Sequence, residues 1–329
     1  MTRALFVLGM HRSGTSAVTR VVNLLGVPLA PEDELRPGDV ENPRGFWEVP
    51  ALTRINERVL NLFGGSWIAP PSLEPGWDED GRLYDLGSEA RATLARVHGT
   101  QDWIWKDPRN CLTMPFWLRV AEMQPAVVLV HRHPLEVAGS LAKRDELPAA
   151  VSVALWERYN RAALASATGM PAFVTSYDRL LSEPATVAAE LLDFLQPLGF
   201  RVDSRSREAV VSFLDPSLRR SNRVELADAI DSSQLTLLKA LADLEGPHDA
   251  LTPPSLPPEP GWVETLLDAR RRVLELERLR RAASRTEAMT VWKRGLGLEL
   301  GVDRAGVAWR LLAPVVRLRA QLVTPADGR

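Results

Sequence analysis

The chain has 329 residues, 45% hydrophobic and 25% charged, a globular composition with room for one large α/β domain and an appendage. A net charge of -2 argues against bulk nucleic-acid binding, and a single cysteine, Cys111, excludes an intramolecular disulfide and a cysteine-rich zinc site. No apolar run approaches the roughly 18 residues of a membrane span, and the run after Arg3 leads straight into a glycine loop instead of a cleavage site, so the expected compartment is the cytoplasm.

In chain order, "ALFVLG" (residues 4–9) reads as a first strand. The helix predicted after it, from Ser16 on, carries Val18, Val21, Val22 and Leu25 at helical spacing, with Gly26 as its stop. Between them lies "GMHRSGTS", residues 9–16. A strand, a glycine turn and a helix start aim several backbone N–H groups at one spot, where the helix dipole also favours an anion. The loop has the spacing of the ATP-binding motif G-x-x-x-x-G-K-[ST], yet Thr15 stands in the lysine position and the cation, Arg12, lies inside the loop. The expected ligand is therefore a 5′-phosphate and not the γ-phosphate of ATP; a plain turn joining strand to helix is the alternative.

Residues 31–75 are rich in Pro, Gly and Trp and read as an excursion over the carboxyl edge of a sheet. Further strands are predicted at "DWIWK" (102–106), "AVVLVH" (126–131) and "PAFVTSY" (171–177). Helices follow the last two, with Pro134 and Pro184 in their first turns. The expected fold is a three-layer α/β domain of the phosphate-loop NTPase type, a central parallel sheet flanked by helices, over residues 1–250. The proline-rich stretch 251–262 is expected to be a linker, and 263–329 a basic amphipathic helical tail. From Glu264 to Arg329 there are 14 Lys and Arg against 8 Asp and Glu. That tail suits a helix folded back on its own domain, an oligomer contact, or peripheral contact with an anionic membrane surface.

With these residues in view, "GMHRSGTS" resembles the 5′-phosphosulfate loop of sulfotransferases that use 3′-phosphoadenosine-5′-phosphosulfate (PAPS), in which Lys or Arg precedes Ser-Gly-Thr. "VVLVHRHPLEVAGSLAKR" (127–144) is similar to that family's 3′-phosphate segment, with Arg132 after a strand and Ser140 in the next helix, and "VTSYDRLLSEPATVAAELLDFL" is similar to a later strand and helix. The resemblance covers residues 3–225 and gives nothing for the tail. It implies a PAPS site built from Arg12, Ser13, Gly14, Thr15 and Ser16 at the 5′ end and from Arg132 and Ser140 at the 3′ end. His11 is a further candidate contact. Tyr177 belongs either near the adenine or in the core, and Arg219 and Arg220 of "SLRRSN" either close over the 3′-phosphate or form a solvated pair.

For catalysis, the resemblance to the branch acting on glycans and protein tyrosines makes Glu48 of "GFWE" the base, in an aromatic setting that suits one, with Glu41 as runner-up. A surface loop glutamate is the plainer reading. Lys106 of "WIWKDPRNCL" would stabilise the sulfuryl oxygens, against a simple Asp107–Arg109 turn beside a solvated lysine. No metal is expected; His131 and His133 read as strand-end and loop residues, and Trp103, Trp105 and Trp117 as core. The reading is a PAPS-dependent sulfotransferase acting on a hydroxyl of a carbohydrate or glycosylated small molecule. Its alternatives are a nucleotide-dependent phosphotransferase with a degenerate loop and a non-catalytic nucleotide-binding protein that recruits a partner.

Overall fold

Side chains along the first strand, β1 (Thr2–Leu8), alternate between two cores: Ala4, Phe6 and Leu8 enter one, Leu5 and Val7 the other, all fully buried. Each fully buried side chain of the larger kinds contributes about 1.5–3 kcal/mol. The computed structural model describes residues 2–38, 45–214 and 230–300, with side chains through residue 282. Along them follow α1 (Thr15–Leu24), α2 (Pro50–Leu62), α3 (Tyr84–His98), β2 (Trp103–Lys106), α4 (Asn110–Val120), β3 (Met123–His131), α5 (Pro134–Asp145) and α6 (Ala149–Ser166). Then come β4 (Ala172–Ser176), α7 (Tyr177–Ser182), α8 (Pro184–Leu195), α9 (Arg207–Phe213), α10 (Ser232–Asp243), β5 (Gly246–His248) and α11 (Gly261–Leu300).

The sheet order is β2-β1-β3-β4-β5, parallel through the first four and antiparallel only between β4 and β5. Phe6 of β1 lies opposite Trp105 of β2 and Val127 of β3. α1 and α8 cover the face that carries Leu5 and Val7, through Val18, Val21, Val187 and Leu191. α4, α5 and α6 cover the other, through Trp117, Val137 and Trp156. The helices after the neighbouring strands β1 and β3 thus leave to opposite faces, which opens a crevice at the carboxyl ends of those two strands. Gly9–Gly14 and Arg132 lie there.

The α/β expectation holds, with local differences. β5 was not predicted, because Gly-Pro-His carries no apolar pattern. Tyr177 starts a helix instead of ending a strand, since the Ser176 side chain accepts from the Arg179 amide and caps α7. The excursion of residues 31–75 contains α2, with Pro50 in its first turn.

The first compact unit is Met1–Arg271 and so runs past the stretch 251–262 expected as a linker. The physical reason is burial: Leu251, Val263 and Leu267 enter the larger core, and Arg158 of α6 pairs with Glu259 and Glu264. In the second unit, Arg272–Arg329, α11 continues to Leu300, exposing Val273, Leu276 and Leu279. No described helix is long and apolar enough to cross a membrane.

Candidate active site

The loop leaves β1 through Gly9 at φ 144, where a Cβ would stand 2.3 Å from the Val130 carbonyl oxygen; only glycine lets it pass the end of β3. The Ser13 amide donates to the Met10 carbonyl at 3.1 Å, closing the turn, with Arg12 at φ 70 and Gly14 at φ 95. Alternation of this kind lets successive N–H groups face one concave spot. Gly14 caps α1 with no side chain, so the first-turn amides have no side-chain acceptor from the cap. Ser13 is fully buried and its hydroxyl has no partner, the kind of orphaned polar atom an anion in the loop would satisfy. Thr15 is buried, and the Ser16 hydroxyl reaches the Phe46 carbonyl at 3.5 Å.

The second predicted segment converges on the same place. Arg12 Nε donates to Ser140 Oγ at 2.8 Å, and Arg132 Nη1 donates to the Arg12 carbonyl at 3.2 Å. Arg132 is buried, donates through Nε to Glu136 Oε2 at 2.9 Å, and lies 4.6 Å from the centroid of Tyr177. That ring belongs to the core and presses on the loop, for a Cβ on Gly14 would come within 2.2 Å of Tyr177 Cδ2. Tyr177 is thus a buried platform for Arg132 and Gly14. Arg219, Arg220 and Glu41 lie outside the described residues.

Glu48 and Lys106 meet. Both side chains are buried, and Lys106 Nζ donates to Glu48 Oε1 at 2.6 Å, while Arg36 Nη1 stands 3.7 Å from Glu48 Oε2. Arg36 also donates its amide to the Glu48 carbonyl at 2.7 Å and stacks 3.9 Å from the Phe46 ring. Glu48 is therefore no surface loop residue, and its observed partners are two cations, with the Phe46 ring stacked on one of them. Lys106 is not the solvated lysine of the plainer reading.

Behind Lys106, a polar cluster fixes the start of α4. Asn56 of α2, fully buried, donates to Asp107 Oδ2 at 2.9 Å and Asn110 Oδ1 at 2.8 Å, and accepts from Thr113 and the Trp117 indole, each at 2.7 Å. Arg109 pairs with Asp107 and with Glu57, the neighbour of Asn56. Asn56→Ala would leave several buried groups without partners, so we expect urea denaturation to show a loss of about 3 kcal/mol or more. A loss under about 1 kcal/mol would contradict this role for the cluster.

His11 is buried, packs 4.4 Å from the Trp67 ring and 5.7 Å from Tyr159, and has no partner for Nε2. Burial first, then the charges of Arg109, Arg144, Lys106 and Arg12, hold its pKa well below the usual histidine range. Only the unfolded chain then takes up that proton, so this group's contribution is present above about pH 6.5 and erodes as the pH falls below it. His131 is buried 3.4 Å from Glu245, and His133 accepts the Leu135 amide at the start of α5. Trp103, Trp105 and Trp117 are core. Among the described residues no group of three or more His, Cys, Asp or Glu is placed to hold a metal.

No family model matches the chain, and no curated protein matches it. Among solved structures it is similar to the sulfotransferase domain from the curacin biosynthetic pathway, at 16% identity over 82% of this chain and 97% of that one, with a TM-score of 0.41. A sulfotransferase from Mycobacterium avium matches at 14% identity over 74% of this chain and 76% of its own, TM-score 0.41. The sulfotransferase domain of the Synechococcus PCC 7002 olefin synthase matches at 19% over 81% and 93%, TM-score 0.37. At such identities and scores the likeness decides no residue's role.

Sequence reasoning missed Arg36, Asn56, Glu57, Trp67, Glu136 and Arg144. Only Glu136 left a trace, four residues after Arg132 and opposite in charge. Asn56 meets its partners across 51–61 residues, a contact that no local pattern encodes.

Proposed function

We propose that this chain is a sulfotransferase that takes a sulfuryl group from PAPS and delivers it to a hydroxyl of a carbohydrate or glycosylated small molecule. The observation that carries the reading is the meeting of Arg12, Arg132 and Ser140 at the carboxyl ends of β1 and β3, beside a loop with the orphaned Ser13 hydroxyl. Those residues suit a nucleotide that is anionic at two places. PAPS supplies an activated sulfuryl group, whose departure leaves negative charge on a phosphate oxygen.

The protein's own groups then divide the work. The loop amides, Arg12 and the hydroxyls of Ser13, Thr15 and Ser16 hold the 5′ end and receive the developing charge, as an oxyanion site does. Arg132, anchored by Glu136 and seated on Tyr177, holds the 3′-phosphate with Ser140, a paired contact for which a guanidinium is suited. His11 supports the loop from behind. Arg219 and Arg220 remain candidates for closing over the 3′ end. Glu48 takes the proton from the acceptor hydroxyl, and Lys106, at hydrogen-bond distance from it, shares its donors with the sulfuryl oxygens. The carbohydrate acceptor rests on the resemblance of "GFWE" to the glutamate-base branch alone.

Arg132→Ala tests the assignment. We expect affinity for 3′,5′-adenosine bisphosphate to fall about 10- to 100-fold, with far less effect on adenosine 5′-monophosphate. Equal losses for both, in calorimetric titrations, would remove Arg132 from the 3′ contact.

A further inference from the structure

The loop after α2 folds back on itself: Ser66 and Ala69 exchange backbone hydrogen bonds at 3.0 and 3.2 Å, and the Gly65 amide returns to Leu60 at 3.0 Å. At its tip Trp67 packs on His11 of the phosphate loop, lies 5.8 Å from the Arg144 guanidinium, and offers its carbonyl to the Tyr159 hydroxyl at 2.9 Å. This closed turn is held from one further side. Arg271, 14% exposed and 201 residues away, donates through Nη1 to the Pro70 carbonyl at 2.6 Å. Its Nη2 donates to Glu264 at 2.6 Å and Asp268 at 3.2 Å, and Glu264 in turn accepts from Arg158 of α6. Val263 and Leu267, buried in the core, fix the helix that carries it.

We propose that Arg271 is a positioning residue for the phosphate loop: by clamping the turn of residues 64–71 it keeps Trp67 against His11, and so holds the loop in its anion-binding shape. A turn cross-bonded on itself transmits a constraint at Pro70 to Trp67, whereas an open loop would absorb it. The route from Arg271 to the loop runs through Pro70, Trp67 and His11.

The test uses the full chain and two readouts, of which the affinity readout rests on the sulfotransferase reading and the exchange readout does not. In Arg271→Ala, amide hydrogen exchange should quicken at residues 66–70 and also at residues 10–13, and affinity for 3′,5′-adenosine bisphosphate should fall about five-fold. Arg271→Lys, which keeps a donor, should restore most of both. Arg271→Ala placed on Trp67→Ala should add no further loss, because the two act in series. Should Arg271→Ala fail to fold, Trp67→Ala carries the same readouts at residues 10–13. Faster exchange confined to residues 66–70 and the start of α11, or additive losses in the double variant, would overturn the proposal. If the unaltered chain binds no bisphosphate, the sulfotransferase reading falls and exchange at residues 10–13 alone decides the role of Arg271.

Discussion

Arg12→Ala is expected to lower sulfuryl transfer about 100- to 1000-fold, the usual cost of removing one donor from a site where negative charge develops. Arg12 is half-buried at a left-handed position in the loop, with its guanidinium on Ser140 and its carbonyl on Arg132. Its side chain is therefore held at the junction of the two candidate phosphate contacts, and no other cation comes from within the loop itself. Because Arg12 is outside both hydrophobic cores, the variant should unfold at nearly the temperature of the parent chain. The measurement is single-turnover transfer from labelled PAPS to a panel of glycans, alongside thermal unfolding. Transfer within a few-fold of the parent would remove Arg12 from the leaving-group contact.

Glu48→Gln carries the other large effect. General-base catalysis contributes about 100- to 10,000-fold, so turnover should fall by that order while affinity for 3′,5′-adenosine bisphosphate stays unchanged. Glutamine keeps an oxygen for Lys106 Nζ, though not the charge, and so should cost less stability than alanine, which strips the partner from a buried ion pair at about 3–5 kcal/mol. Glu48→Ala should accordingly lose stability as well as turnover, and the contrast between the two variants separates the roles. Normal turnover in Glu48→Gln would dismiss Glu48 as the base.

Much of the frame was legible because strands covered on both faces must be apolar almost throughout. "ALFVLG" became Thr2–Leu8 and "AVVLVH" became the latter part of Met123–His131. Pro134 and Pro184 marked helix starts for a simple reason: a first-turn residue needs no amide donor. The glycine loop was legible too, since its conformation requires glycine where Val130 and Tyr177 crowd in. What stayed hidden depends on distant pairing. Glu48 and Lys106 were singled out separately, yet nothing in either segment says that they form one ion pair across 58 residues. The cluster around Asn56 and the clamp from Arg271 to Pro70 are hidden for the same cause. Proline stops a helix but does not stop Leu251, Val263 and Leu267 from burying, which no composition shift near residue 252 discloses.

Arg12, Arg132 and Ser140 are proposed to form one site for a nucleotide phosphorylated at both its 3′ and 5′ positions, without magnesium. Calorimetric titration of the full chain with 3′,5′-adenosine bisphosphate, against ATP with Mg²⁺, tests it most directly. Saturable, magnesium-independent binding of the bisphosphate is expected, at least about ten-fold tighter than ATP, since ATP lacks the group that Arg132 would meet. Binding of ATP with Mg²⁺ in preference to the bisphosphate, or no heat with the bisphosphate at all, would contradict it.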